Sequence, residues 1–155
     1  MADQRLTERT PDRIYVLPAA RTRTWPGLSL MALRAIASLH LLALFAQPVT
    51  AGRYLAGDGA AVLGHQLGAR ILVLLCAAQV VTAAILWWKG GVPSSLILGS
   101  AFLLVAELVE VRAGRAMAFQ WHIPLGVLLF GGAMRVLRGM WNLPLPSVAE
   151  ARPAV

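Results

Sequence analysis

Cysteine is nearly absent from this chain. Cys76 is the one cysteine in 155 residues, so no disulfide can form within a single molecule, and a thiol oxidoreductase that uses a cysteine pair is excluded. We interpret Cys76, in the middle of an apolar run, as a small packing residue. The sequence also has no phosphate-binding loop, no zinc-finger spacing and no serine at a readable spacing from a histidine–aspartate pair. The sequence therefore gives no support to a hydrolase or a transferase.

Charged residues are scarce as well. They make up 14% of the chain, against roughly 25% in a soluble domain, whereas 58% of the residues are hydrophobic. A membrane-spanning helix needs roughly 20 apolar residues. Four runs of that kind are predicted at Leu28–Pro48, Gly64–Trp88, Pro93–Val111 and Ala116–Val136. The first run begins too late for a cleavable signal peptide. The sequence thus predicts an all-α, multi-pass integral membrane four-helix bundle of the cell membrane.

The positions of the basic residues predict how the bundle is oriented. Segments 1–27 and 139–155 are predicted cytoplasmic tails on either side of a transmembrane domain, 28–138. One side of the membrane receives Arg5, Arg9, Arg13, Arg21, Arg23, Lys89, Arg135, Arg138 and Arg152, and the other side receives Arg53, Arg70, Arg112 and Arg115. The positive-inside rule then places both termini in the cytoplasm, in up-down-up-down order. The net charge of +7 is assigned to this topology and to anionic lipid rather than to nucleic acid.

Histidine is rare, and each histidine lies within an apolar run. An ionisable side chain at membrane depth is by default a functional hypothesis. His65 is near the start of the second run and His122 is about one turn inside the fourth, so the two imidazoles are predicted at similar depth. His40 is predicted about two turns below the outer face, and Arg34 is expected to extend to the cytoplasmic surface. His40, Gln47, Glu107 and His122 are expected to face the bundle interior, and Glu110 lies toward the same side of the membrane.

Two imidazoles on facing helices suit the axial positions of a haem b iron. We therefore predict His65 and His122 as the haem ligands. Small residues are expected to leave room for the porphyrin edge, and arginines at the rim are expected to pair with its propionates. The small residues are Gly68, Ala69 and Gly126, and the arginines are Arg53, Arg112 and Arg115. A surrounding or proton-handling role is assigned to His40, Gln47, Glu107 and Glu110.

The arrangement of the histidines, one near the start of helix two and one in helix four of a four-helix membrane unit, resembles one half of the haem A synthase family. That family consists of two such halves, each with a histidine pair on its second and fourth helices. The resemblance spans about residues 30–138 and implies a four-helix fold with haem ligands at His65 and His122. The stretch from Leu44 to Gly126 also resembles that of small actinobacterial four-helix membrane proteins of unassigned function. The chain lacks the second half and the cysteine pair of the synthases, which removes the basis for expecting haem A formation.

Two other interpretations remain open. The chain can be a non-catalytic accessory or scaffolding subunit, in which the histidines make interhelical hydrogen bonds. It can also hold a small metal or proton site made by the histidines with Glu107 or Glu110, although zinc or copper would require three or four converging ligands. The two glutamates can instead pair with Arg112 and Arg115. Expected partners are the lipid bilayer and other membrane subunits or redox proteins.

Overall fold

The structure, a computed structural model, describes residues 27–90 and 92–144. The predicted N-terminal segment, apart from Gly27, and most of the predicted C-terminal segment lie outside the described residues. Within them the chain forms helices α1 (Gly27–Leu55), α2 (Ala61–Gly90), α3 (Ser94–Arg115) and α4 (Phe119–Trp141), with no strand. The predicted all-α fold of four helices is confirmed, and all four are long and apolar enough to cross a membrane.

Helix α1 extends further than the sequence predicted. The sequence predicts that the first run ends at Pro48, and a proline inside a helix removes one backbone hydrogen bond. In the structure α1 continues through Pro48 to Leu55. The Thr50 hydroxyl donates to the Gln47 carbonyl at 2.9 Å, whereas the carbonyl that the proline deprives of its donor is that of Leu44. The helix also ends in a left-handed residue, Gly57, at φ 99°.

The helices form a closed ring. Each helix contacts its neighbours in the chain, α1 also contacts α4, and neither diagonal pair makes a backbone contact among the described residues. The connection from α3 to α4 is tight, since only residues 116–118 separate the two helices. Opposite helices can therefore meet only through side chains that reach the centre of the ring.

Two apolar clusters fill the interior of this ring. The first lies at the end where α1 begins and contains Leu30, Leu33, Ala37, Ala83, Leu86, Val92, Leu96 and Met140. The second contains Leu44, Leu72, Cys76, Leu103, Leu129 and Ala133. Large apolar side chains also cover the outer surface, and Phe102 is 73% exposed there. In water an apolar surface of this extent would be a liability, whereas hydrocarbon solvates it.

Arg34 does not extend to the surface as predicted. It is buried among α1 and α4, and its guanidinium donates to the backbone carbonyls of Met140 at 3.2 Å, Trp141 at 3.2 Å and Leu143 at 2.5 Å. The guanidinium also lies 4.9 Å from the centre of the Trp141 ring. The last carbonyls of a helix lack intrahelical donors and carry the negative end of its dipole. Arg34 satisfies them, and this contact holds the start of α1 against the end of α4.

Candidate functional site

The predicted pair of histidines does meet at one end of the bundle. The rings of His65 and His122 lie with their centres 6.0 Å apart and their planes at 76°, edge to face. Helices α2 and α4 are diagonal in the ring, so the two imidazoles approach each other across its centre. Around them lie Gln47, Thr50 and Glu110, and we call these five residues the terminal polar cluster.

In both rings of this pair, Nδ1 faces hydrogen-bond acceptors. Nδ1 of His65 lies 3.3 Å from the Gln47 carbonyl and 3.2 Å from the Thr50 hydroxyl. Nδ1 of His122 lies 2.9 Å from the Glu110 carboxylate and 3.2 Å from the Glu110 carbonyl. Acceptors at Nδ1 favour the tautomer with its proton there, which leaves a lone pair on Nε2. Within residues 27–90 and 92–144, neither Nε2 has a hydrogen-bond partner.

The small residues beside the pair face side chains of this chain rather than open space. A Cβ at Gly68 would collide with the side-chain amide of Gln47, and a Cβ at Gly126 would lie 3.1 Å from Oε1 of Glu110. Ala69, the third predicted small residue, is half-buried on α2. The recesses are therefore filled by the ends of two side chains of this chain.

Two residues of this end of the bundle were missed by sequence reasoning. Thr50 follows Gln47 by three positions, and that spacing places it on the same face of α1. Gly114 on α3 allows the His122 ring to lie against the backbone, since a Cβ there would come within 2.9 Å of Cε1 of His122. The helical spacing could have revealed Thr50, whereas nothing in the sequence marks Gly114.

The predicted rim arginines lie outside the cluster. Arg112 and Arg115 are exposed in the last turn of α3. Arg53 donates to Oδ2 of Asp58 at 2.6 Å and 3.1 Å. This hydrogen bond holds the pKa of the Asp58 carboxyl below its ordinary value. Arg53 is thus already paired with a carboxylate, although both groups remain accessible to a competing anion.

Neither glutamate pairs with these arginines in the described part of the chain. Glu110 pairs with His122, as described above, and Glu107 pairs with Nε2 of His40. The pairing of Glu107 and Glu110 with Arg112 and Arg115, one of the two sequence-based alternatives, is therefore wrong. Glu107 faces the bundle interior as expected and is buried there together with His40.

The three histidines do not converge on one point. His40 lies with Glu107 and Cys76 in the interior, where one potential ligand atom from each of these three residues falls within 4.8 Å of the other two. Gln79 and Ser100 lie beside them, and Gln79 Nε2 donates to Ser100 Oγ at 2.8 Å. We call these five residues the middle polar cluster. Cys76, interpreted from the sequence as a packing residue, is thus placed beside two ionisable side chains.

The chain matches no protein family, no curated protein and no solved structure. The fold and the two polar clusters consequently carry the functional argument alone. They define an all-α protein of four apolar helices with ionisable side chains buried in the middle of its interior and half-buried at one end. The resemblance to one half of a haem A synthase stays a prediction.

Proposed function

We propose that the chain is a multi-pass protein of the cell membrane that binds one haem b between His65 and His122. Its role is electron transfer or haem handling at the outer leaflet. The observation that carries this proposal is the disposition of the two rings. Both turn Nδ1 toward an acceptor, which is the arrangement that metal-binding histidines ordinarily have, and both keep Nε2 available.

The separation of the rings suits two ligands on opposite sides of one iron. Imidazole nitrogens bind metals at about 2.0–2.1 Å, so two such nitrogens lie about 4 Å apart, and the ring centres lie further apart than the nitrogens. The observed 6.0 Å between ring centres is of that size, and the edge-to-face angle requires one ring to rotate before both Nε2 atoms can face one iron. The porphyrin edge would replace the end of Gln47 beside Gly68, whereas the Glu110 carboxylate stays beside Gly126 on Nδ1 of His122.

Each residue of the terminal polar cluster then has a defined task. His65 and His122 hold the iron, and the Gln47 carbonyl and the Glu110 carboxylate orient their rings. Hydrogen bonding to a carboxylate makes His122 the more basic ligand. Arg53, Arg112 and Arg115 are positioned at the same end of the bundle to attract the propionates. When bound, haem b supplies reversible one-electron transfer.

The proposed orientation places this site near the outer face. Both termini are cytoplasmic and the helices run up-down-up-down, because the basic residues at the chain ends outnumber those in the opposite loops. The connections at 56–60 and 116–118 then face outward. A redox protein or another membrane subunit would approach the haem from that side.

Absorption spectroscopy tests the ligand assignment. The chain, expressed with ample haem and purified in detergent, is expected to show a Soret band and a sharp reduced α-band. His65→Ala and His122→Ala should each lose the low-spin spectrum. The matched control is His40→Ala, which removes an imidazole from the middle polar cluster and should retain the spectrum with a shifted potential.

Two outcomes contradict the proposal. An unaltered low-spin spectrum in both His65→Ala and His122→Ala would show that the ligands are misassigned. A colourless wild-type protein would remove haem altogether.

The second candidate is a non-catalytic accessory or scaffolding subunit. It is favoured by the internal partners that all three histidines already have in Glu107, Glu110, Thr50 and the Gln47 carbonyl. Under this alternative the imidazoles connect helices and bind nothing. The wild-type protein would then be colourless, and His65→Ala and His122→Ala would lower only its thermal stability.

A further inference from the structure

The middle polar cluster is assembled from three helices and is sealed from both ends. His40 comes from α1, Cys76 and Gln79 from α2, and Ser100 and Glu107 from α3. The relative exposure of these side chains is 3% or less. Its polar atoms therefore cannot hydrogen-bond to bulk water and need hydrogen-bond partners inside the bundle.

Two atoms of this cluster are not satisfied. Oε2 of Glu107 and Oε1 of Gln79 are buried and have no hydrogen-bond partner within the described residues. An unpaired buried polar atom costs about 1–3 kcal/mol, and more for a charged group, so such atoms are rare in folded proteins. Oε1 of Gln79 can only accept, and Oε2 of Glu107 can only accept while its carboxyl is ionised. For an ionised Glu107, the missing partner is a proton donor or a cation.

We propose that the middle polar cluster binds a divalent transition metal of the Zn²⁺ type. The ligands are His40 through Nε2, Cys76 through Sγ and Glu107 through its carboxylate. These three atoms already lie within 4.8 Å of one another. Metal–ligand bonds of about 2.0–2.3 Å place any two ligands of one ion at most about 4.5 Å apart, so small side-chain rotations suffice. The ion would replace the hydrogen bond between His40 and Glu107.

Charge balance selects the class of ion. A thiolate and a carboxylate contribute two negative charges and a neutral imidazole contributes none, so a divalent ion gives a site without net charge. Uncompensated charge is costly at membrane depth, which disfavours a monovalent cation. The thiolate and the imidazole are soft or intermediate ligands, which favour zinc, cobalt or copper over magnesium or calcium.

Metal binding requires the thiol to lose its proton. Sγ of Cys76 now donates to the backbone carbonyl of Ser100 at 3.5 Å. On binding, the S–H bond breaks, the sulfur keeps the electron pair and donates it to the metal, and the proton leaves to solvent. Binding should therefore release protons and strengthen with rising pH. No oxidation or reduction is involved.

Cobalt titration of the full-length protein tests this site. The protein, purified in detergent and stripped with a chelator, should bind Co²⁺ with saturation at one ion per chain. A thiolate-to-cobalt charge-transfer band should rise in step with occupancy, and Zn²⁺ should displace the cobalt. Because Cys76 is the one cysteine, this band identifies the site without ambiguity. Cys76→Ser should abolish the band, and Glu107→Gln should weaken binding more than the roughly 10–100-fold that loss of an outer-shell partner costs.

The matched control is Thr82→Val on the same helix. Thr82 bonds only the Ala78 carbonyl of its own helix, so this variant should bind cobalt as the wild type does. If the serine variant does not fold, thermal unfolding of the wild-type protein decides instead, since one equivalent of Zn²⁺ should raise its unfolding temperature. The proposal is overturned by the absence of stoichiometric binding, by binding without the thiolate band, or by an unfolding temperature that zinc does not raise. None of these readouts depends on haem, so this site and the proposed function fail or stand separately.

Discussion

Gly114 is the single residue on which the position of the His122 ring most depends. The imidazole lies against the α3 backbone at this point, with Cε1 only 2.9 Å from where a Cβ would be. The ring has little room to retreat, because Glu110 holds it on one side and His65 faces it on the other. The geometry of the histidine pair is thus set partly by the absence of a side chain on a third helix.

Gly114→Ala should displace His122 and destabilise the bundle. Overpacking of this kind costs about 1–3 kcal/mol, and the Nδ1 contact with Glu110 should lengthen. Thermal unfolding in detergent measures the stability, and the imidazole resonances in an NMR spectrum report the ring position. The matched control is Gly131→Ala on α4, where a Cβ meets nothing within 4 Å and alanine favours the helix. Equal stability of the two variants, with unshifted His122 resonances, would refute the assigned packing.

At the scale of the element, α1 and α3 end in the same hydrogen-bond pattern, formed by different residues, at the end of the bundle near His65 and His122. After α1, Gly57 and Asp58 donate to the carbonyls of Tyr54 and Arg53 at 3.0 Å each. After α3, Met117 and Ala118 donate to the carbonyls of Gly114 and Ala113 at 3.1 and 3.0 Å. Both are Schellman endings, which require a left-handed residue. Glycine fills that position after α1, whereas Met117 adopts φ 55° after α3 and accepts a steric cost of roughly 1–2 kcal/mol.

At the opposite end of the bundle, the end of α4 is capped by the Arg34 side chain rather than by a turn. Its bonds to the carbonyls of Met140 and Trp141 in α4 and of Leu143 just beyond it make α1 the cap of α4, so Arg34→Gln should leave these carbonyls short of donors. A hydrogen bond to a charged group is worth about 1.5–3 kcal/mol, and we expect a loss of at least 2 kcal/mol. Unfolding in detergent measures this loss. The control is Arg70→Gln, at an exposed position on α2; if both substitutions cost the same, Arg34 does not act as a cap.

At the scale of the whole molecule, the arrangement of polar groups suits a protein solvated by lipid. Large apolar side chains face outward on all four helices, and the buried polar residues Arg34, His40, Gln79, Ser100 and Glu107 face inward. This inverts the usual pattern of a water-soluble bundle, because hydrocarbon offers no hydrogen-bond partner. Depth in the membrane then decides which polar groups can reach water and which must pair.

The proposed orientation predicts on which side of the membrane each end of the chain lies. Reporters fused before Met1 and after Val155 should both read as cytoplasmic, because basic residues are concentrated on that side. A reporter inserted at Gly59, in the connection between α1 and α2, should read as extracytoplasmic and serves as the internal control. Extracytoplasmic readings from both terminal fusions would reverse the topology and place the terminal polar cluster at the inner face.

The sequence by itself determined the four helices and the side of each helix that turns inward. Apolar runs of spanning length must be helical in lipid, where every backbone group needs an internal partner. Helical spacing then determines which residues share a face. By that spacing Ser100, Leu103 and Glu107 share one face of α3, and Leu72, Cys76 and Gln79 share one face of α2. All six are buried.

Only the tertiary structure decided which of these residues meet. Periodicity fixes the face of a residue within its own helix, but it carries no information on the rotation and axial shift of one helix relative to the next. Those two quantities pair Glu107 with His40 rather than with an arginine, place Cys76 beside them, and bring Arg34 to the end of α4. They also bring the rings of His65 and His122 into edge-to-face contact from diagonal helices, a contact that matching depth alone could not guarantee.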